Sequence, residues 1–486
     1  MKSPNNQSSL VAAKGAEFWI LAGVTGIMLF VGVILDALPY LLLAAIGVVF
    51  CTYFVRDSRV RFVSVLASVV LLAMKSEHGT VSILDILAGG LYSGGFLLVL
   101  LKKKFIRSIP FTPSATFIYF SIFLLWGVTI SLVNIVDGTV LPEQSYRDLL
   151  LLICPLFLLP VFYSEILEEF GNSDQIFKWC ILLLWIVVFC ATILKMRNNV
   201  AEAYYAYQIG VARYDNINAG FMILLFFSLA MITQGTRRLL LAIGVIISLI
   251  GLFLTFGRTS WVATLVLLPV VIVLGKGVQV KRGITFGILV LGILIPTFAF
   301  MYFAFPIVRT ASLLGLQKFF TSSHLKTDIS MYNRYVEWRY AFKHILTFPM
   351  TGSGFGGMFW DYDWLAGISH YRGYIHNAAI IVLLKSGLVG SILLFTPCVV
   401  FFVKGFRYLR SSLLTIREIA YLRAGVAVML FTLFTGYTGS LFFQRDMVLY
   451  IALFWCYIIG LEHKIGLRSQ ANFSFVDHEI LSRANK

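Results

Sequence analysis

The chain has 486 residues, 59% of them hydrophobic and 13% charged, with a mean hydropathy of +0.88 and a formal net charge of +16. A soluble domain runs at roughly 45–50% apolar and about 25% charged, so this composition excludes a soluble enzyme tethered by a membrane anchor. It predicts an all-α polytopic membrane protein.

In chain order, the polar stretch 1–17 reads as a cytoplasmic N-terminal tail with no cleavage site before the first apolar run. About fourteen apolar windows then qualify as membrane spans. The N-terminal transmembrane region, 18–212, holds windows near 18–35, 39–55, 62–74, 81–101, 115–133, 149–163 and 177–194. The region 213–461 holds windows near 219–234, 239–256, 260–275, 283–305, 377–403, 420–442 and 447–461. Residues 462–486 form a cytoplasmic C-terminal tail.

Alternate short loops collect the positive charge: Arg56, Arg59 and Arg61, then Lys102, Lys103, Lys104 and Arg107, then Arg237 and Arg238, then Lys276, Lys281 and Arg282, then Lys404, Arg407, Arg410 and Arg417. The loops between them carry almost none. By the positive-inside rule the basic loops and both termini face the cytoplasm. The excess of 39 Lys and Arg over 23 Asp and Glu therefore sets topology and does not call for a nucleic-acid partner. Cys51, Cys154, Cys180, Cys190, Cys398 and Cys456 all sit in apolar runs with no C-x-x-C, which indicates neither a disulfide framework nor a zinc site.

Two outer segments are long, about Met196 to Asn218 and about Pro306 to His376. A loop of the second length is usually functional or disordered. Its Trp, Tyr and Gly content predicts a folded extracytoplasmic loop, 306–376, carrying short amphipathic helices. Within it Met331, Tyr335, Trp338, Phe342 and Ile345 recur at helical spacing, a stripe suited to packing on the bundle.

Topology does not require an Arg on the outer side, so each one needs another reason. Arg258 lies in the tight outer connection Phe256-Gly257-Arg258-Thr259-Ser260, and Arg213 lies just before a span enters the bilayer. Each is either a solvated turn charge or a ligand for an anion. Arg334 and Arg339 ride on the amphipathic segment. His376 opens the run His376-Asn377, nine residues, Gly387-Leu388-Val389-Gly390-Ser391. A histidine at the mouth of a span suits general base work, while the glycine pair would let a neighbouring helix approach. Trp360, Tyr362, Trp364, Tyr371 and Tyr374, with Tyr204, Tyr205 and Tyr207 in the other outer segment, fit either sugar faces or an interfacial aromatic belt. Asp361-Tyr362-Asp363 has D-x-D spacing but lies outside, where nucleotide sugars are not expected, and reads as a structural or sugar-binding loop.

These features together resemble the bacterial O-antigen ligase and O-antigen polymerase superfamily over about Arg213 to Glu462. The match is carried by the His-Asn to Gly-x-x-Gly pattern at His376–Ser391, by Arg258, and by Arg334 to Trp338 followed by Phe348 to Gly354. Ser391 stands where the ligase pattern usually has Gly, Thr or Tyr. Lys385 stands where the family often has an acid, well inside the apolar helix, and Asp85 is the comparably placed acid expected to pair with it. The resemblance implies a metal-independent, inverting glycosyltransferase with no cofactor, acting at the extracytoplasmic face of the bacterial inner membrane. It would move a glycan from an undecaprenyl diphosphate-linked oligosaccharide donor to a glycan or lipid A-core acceptor. In that reading His376 is the base, Arg258 stabilises the leaving group, and Arg213, Arg258, Arg334, Asn377 and Trp338 bind diphosphate or sugar. The candidate protein partners are a chain-length regulator and a flippase. The span count leans toward a polymerase of O-antigen or exopolysaccharide and the His-Asn pattern toward a ligase. A polysaccharide flippase is the rival of another class, but transporters cluster polar groups at the midplane and often show repeats.

Overall fold

The computed structural model describes residues 115–153, 216–254, 258–304, 309, 329–363, 367–437, 451–462 and 464–466. The first four predicted spans, the spans near 177–194, Arg213, Asp85, Trp364 and Tyr204 to Tyr207 lie outside the described residues. The helices are α1 (Ala115–Val136), α2 (Pro142–Ile153), α3 (Asn216–Ala230), α4 (Thr236–Leu254), α5 (Arg258–Val273), α6 (Val278–Ala304), α7 (Ile329–Ile345), α8 (Ala378–Leu409) and α9 (Ile416–Gly436), with a further helical stretch at 451–462. Between α7 and α8 stand two antiparallel strands, β1 (Phe359–Asp363) and β2 (Ile368–Arg372).

The protein is an integral membrane protein built mainly of helices. Among the described residues, Ile118–Val136, Val278–Ala304, Ala378–Leu409 and Ile416–Gly436 are long and apolar enough to cross a bilayer. The windows predicted near 115–133, 219–234, 239–256, 260–275, 283–305, 377–403 and 420–442 each coincide with a helix whose ends move by a turn or two. Two details differ from expectation. The helix expected from 149 begins at Pro142, where the missing proline N–H costs nothing at the first helical position and Glu143 sits favourably in the first turn. The segment 306–376 contains a β-hairpin as well as an amphipathic helix.

The core follows from composition. α3 is apolar all round, and Phe221 to Phe227 are all buried among α4, α5, α6 and α9, as a helix without a polar face requires. The stretch 451–462 closes this core, with Phe454 packed on Phe221 and Trp455 on Phe120 of α1. α6 instead exposes Ile284, Ile288, Leu291 and Ile295 along one stripe, the surface a helix turns to lipid. The buried Cys398 and Cys456 are free thiols, as expected of packing residues.

The relative direction of α5 and α9 locates one end of the bundle. Arg423 in α9 donates to Gln279 Oε1 at the start of α6 (2.7 Å) and to Met231 Sδ just after α3 (3.1 Å). A Cβ at Gly275, just past α5, would stand 3.3 Å from its guanidinium. The C-terminal ends of α3 and α5 therefore meet the first half of α9, and the helices run antiparallel to it. The 16 residues of α5 rise about 24 Å and the stretch from Arg423 to Tyr437 about 21 Å. Arg258, the first residue of α5, thus lies at the same level as Tyr437, the C-cap of α9.

Candidate functional site

α7 packs on β1 and α8. Its inward face differs from the stripe expected from spacing. Tyr335 and Phe342 are exposed, whereas Glu337, Ala341 and Ile345 are buried and Trp338 is half-buried. The helix is turned so that a carboxylate faces inward, which is costly unless that carboxylate is paired and hydrogen-bonded.

The hairpin and the mouth of α8 supply the partners. Strand alternation places Phe359 and Asp361 on one face of the hairpin with their cross-strand neighbours Arg372 and His370. Phe359 and Asp361 are buried on that face. Trp360 and Tyr371 pair on the opposite, exposed face, with ring centroids 4.3 Å apart. Arg372 spans the gap to α7: Nε lies 3.0 Å from Asp361 Oδ2 and 3.0 Å from His370 Nε2, and Nη1 lies 3.2 Å from Glu337 Oε1. Burial pushes the Asp361 carboxyl above its ordinary value against the pull of Arg372, and the charge of Glu337 adds to the rise. Asp361 of the D-x-D run is thus an ion-pair partner within the hairpin.

His376 completes the cluster. Its backbone N–H donates to Glu337 Oε1 (3.2 Å), and its ring Nδ1 lies 3.0 Å from Glu337 Oε2. Because a carboxylate only accepts, the neutral ring carries its proton on Nδ1 and its lone pair on Nε2. The imidazole stacks edge-on to Tyr374 at 4.9 Å and keeps 24% of its side chain exposed, while Glu337 keeps 2%. The arrangement is an imidazole oriented by a buried carboxylate, with Nε2 left able to accept a proton.

Eleven residues beyond His376, α8 breaks. Gly387 adopts φ 62° and ψ −168°, a conformation open to glycine, and the ladder is interrupted there. The loop from Pro349 to Gly357 enters the break: Ser353 N–H and Oγ both donate to Leu384 O (2.8 Å each), and Leu388 N–H donates to Pro349 O (2.9 Å). Gly352, at φ +70°, lies so close that a Cβ there would stand 2.5 Å from Gly387 N. The expected role of the glycine pair is thereby divided. Gly387 receives this loop, and Gly390 allows the approach of Trp126 from α1, whose indole N–H donates to Ser386 O (3.1 Å).

Lys385 is buried beside the break, with Nζ 2.7 Å from Asp148 Oδ2 and 2.8 Å from Gly357 O. Asp148 also accepts from Gly356 N–H at 2.6 Å. The acid that the described structure places on Lys385 is therefore Asp148 of α2, brought within reach by the early start of that helix.

Residues 243–395 match the O-antigen ligase family. No curated protein matches the chain. The match supports the O-antigen ligase and polymerase superfamily, whose members are glycosyltransferase-type enzymes with lipid-linked sugar substrates and a membrane setting. It runs from within α4 into α8 and so takes in Arg258, Arg334, Glu337, Arg372, His376 and the break at Gly387.

In and beside the matched segment the structure gathers several residues expected from sequence. Asn377 caps α8: its Oδ1 accepts from Ala379 N–H (3.0 Å) and Ile380 N–H (3.1 Å), and its Nδ2 donates to Tyr437 O (3.4 Å). Trp338 packs edge-on against the Tyr437 ring at 5.6 Å, and its buried indole N–H finds no acceptor among the described residues. Arg334 stands one turn before Glu337 and Trp338 on the same face of α7. Arg258 opens α5, at about the level of Tyr437 along the bundle. Sequence reading missed Glu337, Arg372 and Asp148. For Glu337 a signal was present: Ala341 and Ile345 follow at four and eight residues, a small and an apolar position on its own stripe.

Proposed function

We propose that the protein is a membrane glycosyltransferase of cell-surface polysaccharide assembly. It transfers glycan from undecaprenyl diphosphate to an acceptor sugar hydroxyl at the extracytoplasmic face of the bacterial inner membrane. The observation that carries this reading is the 3.0 Å contact between His376 Nδ1 and the buried Glu337 carboxylate, within a segment matched to the O-antigen ligase family. A base held in one tautomer by a carboxylate is what proton removal from an unactivated hydroxyl needs.

In the reaction the acceptor oxygen attacks the anomeric carbon while its proton passes to His376 Nε2. The bond between that carbon and the diphosphate oxygen breaks, and the undecaprenyl diphosphate departs with the electron pair. One displacement inverts the anomeric centre. The leaving diphosphate needs fixed cations, and guanidinium matches phosphate oxygens bidentately. Arg258 serves here because its helix starts at the level of the site, with Arg213 and Arg334 as further ligands. Trp338, whose indole donor meets no acceptor among the described residues, and Asn377, at the mouth of α8, line the sugar side.

The test is turnover of an undecaprenyl diphosphate-linked oligosaccharide by purified protein in proteoliposomes. His376→Ala should lower the rate by about 10²–10⁴-fold, the usual range for loss of a general base. A rate near that of the wild type would remove His376 from this role. The same assay separates the two acceptors. A ladder of extended glycan from the lipid-linked donor alone identifies a polymerase, which the span count expected from sequence favours. Product that forms only when lipid A-core is added identifies a ligase, which the His376-Asn377 pattern favours.

A further inference from the structure

The cluster around Glu337 holds two carboxylates and one fixed guanidinium. Glu337 of α7 and Tyr374 touch His376 itself. Arg372 of β2 reaches that carboxylate, with His370 of β2 and Asp361 of β1 on its guanidinium. Arg334 lies one turn before Glu337 on α7, and Tyr437 at the end of α9 accepts from the neighbouring Asn377. A carboxylate 3.0 Å from an imidazole favours the protonated ring. A protonated ring cannot act as a base. Glu337 alone would therefore orient His376 and disarm it at the same time.

We infer that Arg372 is a positioning residue that keeps His376 unprotonated by sharing the Glu337 carboxylate, a reading that rests on His376 being the base proposed above. Arg372 Nη1 takes Glu337 Oε1 at 3.2 Å, so the negative charge presented to the ring is divided between two partners. The guanidinium is held from its other edge by Asp361 Oδ2 at 3.0 Å, across the register that pairs Phe359 with Arg372. Arg372 keeps 17% of its side chain exposed and Asp361 1%, so solvent screens little of this coupling. Arg372 and His376 are four residues apart in the chain. The hairpin thus carries the counter-charge to the base directly, and its strand pairing fixes how much of Glu337 the imidazole receives.

The test is the pH dependence of kcat/KM in proteoliposomes, with the lipid-linked oligosaccharide as donor. Arg372→Gln leaves Glu337 wholly to His376 and should move the acid limb upward by about one pH unit. Arg372→Lys keeps the charge, and should lower the plateau while leaving the limb in place. Glu337→Gln should move the limb downward, and it carries the test should Arg372→Gln fail to fold. An Arg372→Gln enzyme that is slower at every pH with an unmoved limb, or a Glu337→Gln enzyme without a downward shift, would overturn the inference while His376 remains the base. Near wild-type turnover by His376→Ala would defeat both readings.

Discussion

The His376 mouth and the Gly387 break lie on the same stretch of α8, yet they are built to opposite rules. At the mouth, the imidazole is a quarter exposed and its partners are Glu337 of α7 and Tyr374 just after the hairpin. At the break, Lys385 keeps 2% of its side chain exposed, and Asp148, Gly356 and Gly357 close around it. A group that exchanges a proton with substrate has to keep one side open. A group that holds α2, the glycine loop and α8 together has to satisfy every polar atom, because an unmatched charge in an apolar setting is severely costly. On the function proposed above, the pattern from His376 to Ser391 joins chemistry at one end to architecture at the other.

Substitutions should separate the two ends. The largest stability effect belongs to the break: Lys385→Met strips Asp148 of its cation, and removing one partner of a buried ion pair costs about 3–5 kcal/mol. Thermal unfolding in detergent should show it, with much of the loss recovered in Lys385→Met/Asp148→Leu. His376→Ala should leave that unfolding curve unchanged, and an equal loss of stability there would erase the contrast. Gly387→Ala comes next. Its backbone, at φ 62° and ψ −168°, is essentially closed to L residues and costs roughly 1–3 kcal/mol, and the new Cβ would press on Met350 O and Gly352 N, so stability should fall while the pH profile holds its shape. Smallest is Asn377→Ala, which loses an N-cap worth about 1 kcal/mol. If its turnover instead collapsed with stability intact, Asn377 would be a substrate ligand as well as a cap.

Local signals were readable and distant ones were not. The break was visible as a glycine pair because Gly387 and Gly390 lie within one turn of each other. What enters it was hidden, since the Pro349 to Gly357 loop lies far upstream. Lys385 announced that it needed an acid, but nothing local could point to Asp148, whose helix starts seven residues before its apolar window. Periodicity found α7 and placed its inward face only in part: Trp338 and Ile345 turn inward as spaced, while Tyr335 and Phe342 turn out and Glu337 and Ala341 take their place. Aromatic spacing favoured Tyr335 and Phe342, whereas the inward face was decided by a charge that only a folded neighbourhood can accept. Arg372 escaped notice because an arginine in a strand has no periodic signature.

By itself the sequence determined that this is a helical membrane protein, where its apolar helices lie, and that His376 stands at the start of one of them. These follow from composition, hydropathy and short-range spacing, which act within a few turns of chain. Tertiary structure alone decided which carboxylate meets His376, which acid neutralises Lys385, and which face of α7 turns inward. Those choices depend on side chains far apart in sequence sharing one low-dielectric site, where each charge is tolerable only once its partner has arrived.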